Sequence, residues 1–207
     1  MLSLSKEKIL KYFGRFFFLV TGFLVLFGSL VLTGLKIMAN EKKENNLRGI
    51  PIEYIDEKDG EKIKKIYKVP ESKVGPEDIK YPIKKIRDNL WIELSQIPKD
   101  KSEVCLLIAD KRLFETVELI KKGEKEDLII KTLNESISHL KEAKKILSEE
   151  NKKDIEISKV NQQIDQAGLA YEDIVKSLNY KNEEINKTIN ELKEWNQKNN
   201  EEKEKEE

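Results

Sequence analysis

The sequence predicts an all-α fold, in which an N-terminal single transmembrane helix precedes a small bundle of antiparallel helices with coiled-coil-like packing. Three observations predict it. Residues 16–35 carry no charge and are mostly apolar, as a membrane-spanning helix requires. From Tyr81 onward the apolar residues recur at intervals of three and four, which is the period of an amphipathic helix. Outside residues 50–69 the sequence has no credible strand pattern.

Composition excludes several classes of function. The 207 residues hold 39 Lys and Arg against 39 Asp and Glu, and a chain without net positive charge is a poor general binder of nucleic acid. A single His (His139) and a single Cys (Cys105) exclude an intrachain disulfide and the usual His/Cys zinc site. Phosphate-binding glycine motifs are also missing. We therefore expect no enzymatic activity, no cofactor, no metal and no nucleic-acid partner.

The N-terminal apolar segment is predicted to be a transmembrane helix from Phe16 to Leu35, bracketed by Arg15 and Lys36. Its 20 residues would span roughly 30 Å at about 1.5 Å per residue, which matches the hydrocarbon core of a membrane. A cleaved signal peptide is the alternative, but its apolar stretch is normally shorter, and cleavage after Ala39 would place Ile37 where a small residue is needed. We predict an uncleaved anchor over residues 16–36.

Orientation rests on the layout of the chain, because the positive-inside count is a tie between the two flanks of the segment. A stub of residues 1–15 ahead of a long C-terminal part is the usual signal-anchor arrangement. The predicted location is therefore the bacterial cell membrane, with a single pass and with the C-terminal domain extracytoplasmic.

Residues 37–75 are predicted to be a linker with a possible short hairpin. Two β-leaning runs, Ile50–Ile55 and Ile63–Val69, flank the turn signal Asp59-Gly60. An irregular extended stretch is an equal alternative, because Pro51 and the lysines favour an edge-like, weakly packed element.

Residues 76–195 are predicted to form the helical bundle. Pro82 suits the first turn of a helix whose apolar residues fall on one stripe: Ile83, Ile86, Leu90 and Leu94. Ile97-Pro98 should end it. Asp100 or Ser102 can cap a second helix that runs to about Lys122, where Gly123 suits the C-terminal cap. A third helix should span about Glu126 to Glu149.

A fourth helix, from near Asp154, carries a sustained heptad seam: Val160, Ile164, Ala167, Tyr171, Ile174 and Leu178. The seam either closes an antiparallel hairpin with the third helix or pairs with another chain. Around Asn179–Asn182 the pattern weakens, so the helix either continues with a flaw or breaks into a fifth. Residues 196–207 contain no apolar side chain and are predicted to be a disordered charged tail.

Several short motifs resemble a bacterial domain of unknown function found in membrane-anchored proteins. They are a Tyr-Pro-x-Lys helix start, a short break containing Pro and a helix with Ala-x-Lys-Arg-Leu. The matching residues are Pro76, Tyr81, Pro82, Lys84, Arg87, Pro98, Ala109, Lys111, Arg112 and Leu113. The resemblance covers about residues 70–150, and less clearly continues to 195. It implies a membrane-tethered helical module and supplies no catalytic residues.

Arg87 and Arg112 are the candidate site residues, because this chain otherwise uses Lys almost everywhere and Arg favours fixed, planar ion pairs. Asp88, Asp110 and Glu115 are the nearby candidate partners. We predict structural ion pairs between the first two helices, with a ligand-anion site as the alternative. His139 is predicted to be a surface residue, and Cys105 a small core residue.

The leading functional hypothesis is a membrane-anchored helical protein that acts as a protein–protein interaction or structural module at the cell envelope, through a protein partner or self-association. The alternative is a membrane-bound sensor or regulator whose extracytoplasmic domain binds a ligand or peptide. The 15-residue stub is too short for a folded effector, which counts against signalling. A hydrolase would need an active site that these residues do not assemble.

Overall fold

The chain divides into two units, Met1–Glu44 and Asn45–Glu207, which we describe separately. The computed structural model describes residues 16–18, 20–22, 25, 29, 49–58, 61–148, 150, 154–178, 180 and 182–204. The stub of residues 1–15, most of the predicted linker before Gly49, the Asp59-Gly60 turn signal and the last three residues of the tail lie outside these ranges.

The first unit overturns the membrane part of the predicted fold class. Its described residues are helical, and the Thr21 hydroxyl donates a hydrogen bond to the carbonyl of Phe17. Among the residues that the structure describes, however, no helix has both the length and the apolar character needed to cross a membrane. The predicted transmembrane helix, Phe16 to Leu35, is therefore wrong for the described part of the chain, as are the signal-anchor and membrane assignments built on it. The other residues of this segment lie outside the described ranges.

The second unit opens with a β-hairpin, so the all-α prediction is also wrong. Strand β1 (Ile50–Lys58) pairs antiparallel with β2 (Glu61–Val69), with Ile50 opposite Val69 and Lys58 opposite Glu61. This region is therefore a hairpin rather than an irregular extended stretch, and both strands extend beyond the apolar runs. One face of the hairpin brings Ile52, Tyr54 and Tyr67 onto the hydrophobic core, and Val69 is fully buried. This burial stabilises a hairpin that would be marginal alone.

Five helices follow within the described residues: α1 (Tyr81–Leu94), α2 (Pro98–Lys122), α3 (Glu126–Ser148), α4 (Ile155–Ser177) and α5 (Glu183–Glu204). Local signals set most of their ends. Pro98 occupies the first turn of α2, where its missing N–H is not needed. Gly123 ends α2 in the left-handed conformation, at φ 67°. The Asp154 carboxylate caps α4 by accepting hydrogen bonds from the backbone N–H of Glu156 and Ile157.

The core is centred on the antiparallel pair α2 and α3, which have the most extensive contact of any two helices described. The Ser102 hydroxyl does not cap α2. It lies within the helix and donates to the carbonyl of Ala143 on α3, at 2.8 Å. Helix α4 crosses this pair and also packs on β1 and α5. The hairpin, α2, α3, α4 and α5 therefore share one hydrophobic core.

The start of the predicted disordered tail is helical instead, since α5 continues through Asn196 to Glu204. Polar contacts dock this end. Asn196 and Asn199 are buried, and the Asn196 Nδ2 donates to the Gly168 carbonyl at 3.1 Å and to Glu172 Oε2 at 3.0 Å. Hydropathy alone gives no sign of such docking, because the contact surface contains amides rather than aliphatic side chains.

Replacing Gly168 by alanine is expected to destabilise the unit by about 1–3 kcal/mol through overpacking. A Cβ there would overlap Asn196 Oδ1 and would lie 2.9 Å from Trp195 Cζ3, so these two side chains of α5 must shift. Urea unfolding of the full chain measures the change. The matched control is Gln166→Ala, at an exposed position of the same helix. A gain of about 1 kcal/mol, which helix propensity alone would give, would show that α5 is not held against Gly168.

Candidate functional site

Helix α1 is turned opposite to the orientation that its apolar stripe suggests. The face that packs on α2 carries Tyr81, Lys84, Asp88 and Trp91, which are all buried. The predicted stripe points outward instead, and its residues are the exposed ones. This arrangement requires strong polar pairing beneath α1, because charged groups are rarely buried without partners.

That pairing is a network of four buried charged side chains between α1 and α2. Arg112 and Asp88 are only 1% and 2% exposed. Arg112 Nη2 donates to Asp88 Oδ2 at 2.7 Å, and Nη1 donates to the two Glu115 oxygens at 3.0 and 3.1 Å. Lys84 donates to Glu115 Oε1 and completes the set. Within this network, two cations thus face two anions.

The loop before α1 closes one side of this network through Glu115. The Ser72 hydroxyl donates to Glu115 Oε1 at 2.6 Å, and the Tyr81 hydroxyl donates to Oε2 at 3.0 Å. Lys84 also donates to the Ser72 hydroxyl at 2.5 Å and to the Val74 carbonyl at 3.1 Å. Every oxygen of this carboxylate has donors, which leaves it occupied by protein groups.

Arg87 and Arg112, the two arginines singled out from the sequence, meet at one carboxylate but in different surroundings. Arg87 is partly exposed and donates to Asp88 Oδ1 from Nε at 3.1 Å and from Nη2 at 2.7 Å. Arg112 holds the other oxygen of Asp88 from the buried side. Its Nε has no hydrogen-bond partner and lies 3.7 Å from Glu135 Oε2. Asp110, the third candidate partner, is not part of the network.

Burial and charge shift the pKa values of the network in opposite directions. Burial, with the Arg112 charge acting in the same direction, lowers the pKa of Lys84, although the Glu115 carboxylate raises it. For Arg112 burial acts in the same lowering sense, but the neighbouring carboxylates outweigh it and raise the pKa. The Arg112 guanidinium and the Lys84 ammonium group both pair with carboxylates. The network can therefore hold α1 and α2 together, but it offers no free nucleophile or base.

The remaining candidate residues lie inside the fold. Val160, Ile164, Ala167, Tyr171 and Ile174 of the heptad seam are buried in the core, and Leu178 is partly buried against it. The structure thus uses the seam within the chain. Cys105 is fully buried, and burial raises the pKa of its thiol to about 12. His139 is half-buried beside the network, and burial followed by the Arg112 charge lowers its pKa.

Asp110 joins three elements through two tyrosines. Its Oδ1 accepts the hydroxyl of Tyr67 on β2 and that of Tyr171 on α4, each at 2.8 Å. The two rings meet edge to face, with centroids 6.0 Å apart. Burial raises the pKa of Asp110 to about 7, although the hydrogen bonds from Tyr171 and Tyr67 lower it. This carboxyl therefore fastens the hairpin to α2 and α4.

The outward face of α1 is the candidate interaction surface. We call it the α1 stripe. Its members are Ile83, Ile86, Leu90 and Leu94 of the helix, together with Ile79 and Ile97, which lie just before and just after it. Their exposed fractions run from 44% at Leu94 to 92% at Ile79. Together they present on the order of 600 Å² of apolar surface, whereas the largest patch on a typical monomeric protein is roughly 300–600 Å². A stripe of this size is a candidate contact site.

The described residues also form an open groove of about 510 Å³ between α3 and α5, lined mostly by polar and charged side chains, including Lys141, Glu142 and Lys187. Within the same residues, no three His, Cys, Asp or Glu side chains are grouped so that they could hold a metal ion.

The sequence reasoning missed the direction of α1, although a signal was present. Tyr81, Lys84, Asp88 and Trp91 also recur at intervals of three and four, so α1 carries two periodic faces. Arg112 and Glu115 on α2 are one helical turn apart, which matches the turn between Lys84 and Asp88. Charged residues at matching spacing on successive helices point to a buried pairing.

Comparison with known proteins agrees with the helical part of this description. A search of curated proteins and a search of solved structures each gave no significant match. A family model described as "Domain of unknown function (DUF5667)" matches residues 73–207, which hold α1 to α5 and the loop before them. The expected resemblance to a helical domain of unknown function is confirmed to that extent. Because the match covers well over half of the sequence, this chain belongs to the DUF5667 family.

Proposed function

We propose that this protein is a non-enzymatic interaction module, and that its binding surface is the α1 stripe. The observation that carries the proposal is the exposure of four large aliphatic side chains on one face of α1, with Ile79 and Ile97 also exposed just beyond its two ends. Isolated exposed apolar residues are normal on a protein surface, but a contiguous stripe of this area is typical of a protein–protein contact.

The fold supports this use because α1 is fixed from below. Arg112 and Glu115 of α2 hold Asp88 and Lys84 on the underside of α1, and Trp91 is buried beside them. The stripe is therefore presented by a helix whose position does not depend on the stripe itself. Pre-organisation of this kind lowers the entropic cost of association.

The chemistry of the stripe indicates the kind of partner. All six side chains are Ile or Leu, and none of the exposed positions between Ile79 and Ile97 on this face is aromatic. Such a surface matches the apolar face of another helix, which buries aliphatic side chains along about four turns by ridge-and-groove packing. We therefore propose a protein partner that contributes an apolar helix.

Site-specific photo-crosslinking in cells tests the proposal. A photoreactive amino acid at Ile83, which is 69% exposed, is expected to give a discrete adduct of higher mass. The same residue at Ile155, which is 72% exposed on α4, is the matched control and should give none, because Ile155 lies outside the stripe. Equal labelling at both positions, or no adduct from Ile83, would contradict the proposed function.

A further inference from the structure

We propose that the occupant of the α1 stripe is the α1 stripe of a second copy of this chain, packed antiparallel across a two-fold axis near Asp88. The inference rests on the proposed function and names the partner of the same surface. Its support comes from the spacing of the stripe, the area it offers and the charges beside it.

The spacing of the stripe is nearly the same when read from either end. In an antiparallel pairing of two α1 helices centred on residue 88, Ile86 faces Leu90 of the second copy, and Ile83 comes within one residue of facing Leu94. Ile79 and Ile97 lie just beyond the two ends of the helix. The helical members of the stripe thus come within one residue of apolar partners, which is the self-complementarity that a two-fold interface requires. A heterologous partner places no such condition on the spacing.

The area of the stripe fits a homodimer. A stable interface buries about 800 Å² on each partner. The stripe offers on the order of 600 Å² of apolar surface, and the polar residues along its edges, among them Lys80, Asn89 and Glu93, can supply the remainder as a rim. Apolar centre and polar rim are the usual anatomy of such contacts.

The charges near the two-fold axis do not oppose the pairing. At the edge of the stripe, Arg87 is the charged residue of α1 nearest to the two-fold axis. In the dimer it would therefore lie near Arg87 of the second copy. Its guanidinium, however, is held toward the underside of α1 by the Asp88 carboxylate, at 2.7 Å from Nη2. No acidic or basic residue lies among the six members of the stripe, so pairing buries no unpaired charge.

Single cysteines in the full chain test this geometry with a short bis-maleimide crosslinker. The native Cys105 is fully buried and serves as a silent background. In the antiparallel pairing, the two copies of position 86 lie about 6 Å apart along the helix axis, and the two copies of position 79 about 27 Å apart. We expect Ile86→Cys to give a covalent dimer of twice the chain mass and Ile79→Cys to give none.

Two further variants make the result specific. Adding Leu90→Glu to Ile86→Cys is expected to abolish the dimer band, because each chain would then place a carboxylate against position 86 of the other. Leu169→Cys, at an exposed position of α4 (41% against 62% for Ile86), controls for random collision and should not link.

The outcomes separate this inference from the proposed function. Efficient linking at Ile79, which is the most exposed member of the stripe, or linking at Leu169 equal to that at Ile86, would overturn the antiparallel pairing. The absence of a dimer from Ile86→Cys would also overturn it. If the photoreactive group at Ile83 still captured a different protein in that case, the interaction module would stand and only the identity of its partner would fall.

Discussion

Replacing Arg112 by methionine is expected to cost about 3–5 kcal/mol of unfolding free energy, because it removes the buried cation that Asp88 and Glu115 share. Asp88 and Glu115 are each 2% exposed, and both accept hydrogen bonds from the Arg112 guanidinium. The loss is measured by urea unfolding of the full chain at neutral pH, followed by far-UV circular dichroism.

Arg87 provides the matched control, since it contacts the same carboxylate from the solvent side. Its side chain is 36% exposed, against 1% for Arg112. Ion pairs at exposed positions are worth about 0–1 kcal/mol, so Arg87→Met should change stability by no more than that. Equal losses for the two variants would mean that Arg112 is not shielded from water as the structure describes.

A double variant tests whether charge balance, rather than a particular contact, accounts for the cost. Arg112→Met combined with Asp88→Leu removes one cation and one anion and leaves the Lys84–Glu115 pair. Replacing a buried ion pair by apolar residues is often neutral or better. We therefore expect the double variant to recover most of the stability that Arg112→Met loses. Additive losses would contradict a balanced network.

Local chemistry explains which parts of the fold could be read from the sequence. The end of α2 at Gly123 and the start of α4 at Asp154 depend on residues whose conformational preferences act within one turn. The burial of Ile164 and Tyr171 follows from the repeat spacing, because a heptad seam must be covered. These features need no knowledge of distant residues.

The direction of α1 could not be obtained in the same way. The apolar pattern of Ile83, Ile86 and Leu90 predicts an inward face only if no stronger pairing competes for the core. Here Lys84 meets Glu115, 31 residues away in sequence, and Asp88 meets Arg112, 24 residues away. Such long-range pairing depends on tertiary structure, and it outweighs the tendency of the apolar face to turn inward.

The end of α5 and the role of Asp110 could not be predicted from the sequence for a related reason. Asn196 docks by donating to the Gly168 carbonyl, and the side chains of Trp195 and Asn196 occupy the space that a Cβ at position 168 would take. Asp110 was a candidate partner for arginine because it is close to Arg112 in sequence, but it faces Tyr67 and Tyr171 instead. Neighbours in sequence point to different sides of a helix.

The carboxyl of Asp110 makes the stability of this unit depend on pH. Burial raises its folded-state pKa from the ordinary value of 3.8 to about 7. Between about pH 4 and pH 7 the folded chain therefore binds a proton that the unfolded chain has released. The contribution of Asp110 to the free energy of unfolding is fully present below pH 4. It falls as the pH rises through 7 and then stays low. One unit of pKa difference corresponds to about 1.4 kcal/mol, so the fall is at most about 4 kcal/mol.

Asp110→Asn is expected to remove this fall, because the amide has no charge to bury and its Oδ1 can still accept both tyrosine hydroxyls. The variant should match the wild type near pH 4 and exceed it by a few kcal/mol at pH 8. Unfolding free energies of the two chains, measured in urea at steps of half a pH unit, give the difference directly.

Asp127→Asn makes the same chemical change at an exposed position of α3, and its stability relative to the wild type should not change with pH. Tyr67→Phe removes a hydrogen bond that lowers the pKa of Asp110, so the stability of this variant should continue to fall to higher pH than that of the wild type. A difference between wild type and Asp110→Asn that stays constant from pH 4 to pH 8 would show that Asp110 keeps its ordinary pKa, and that the hairpin is fastened by an ionised carboxylate throughout.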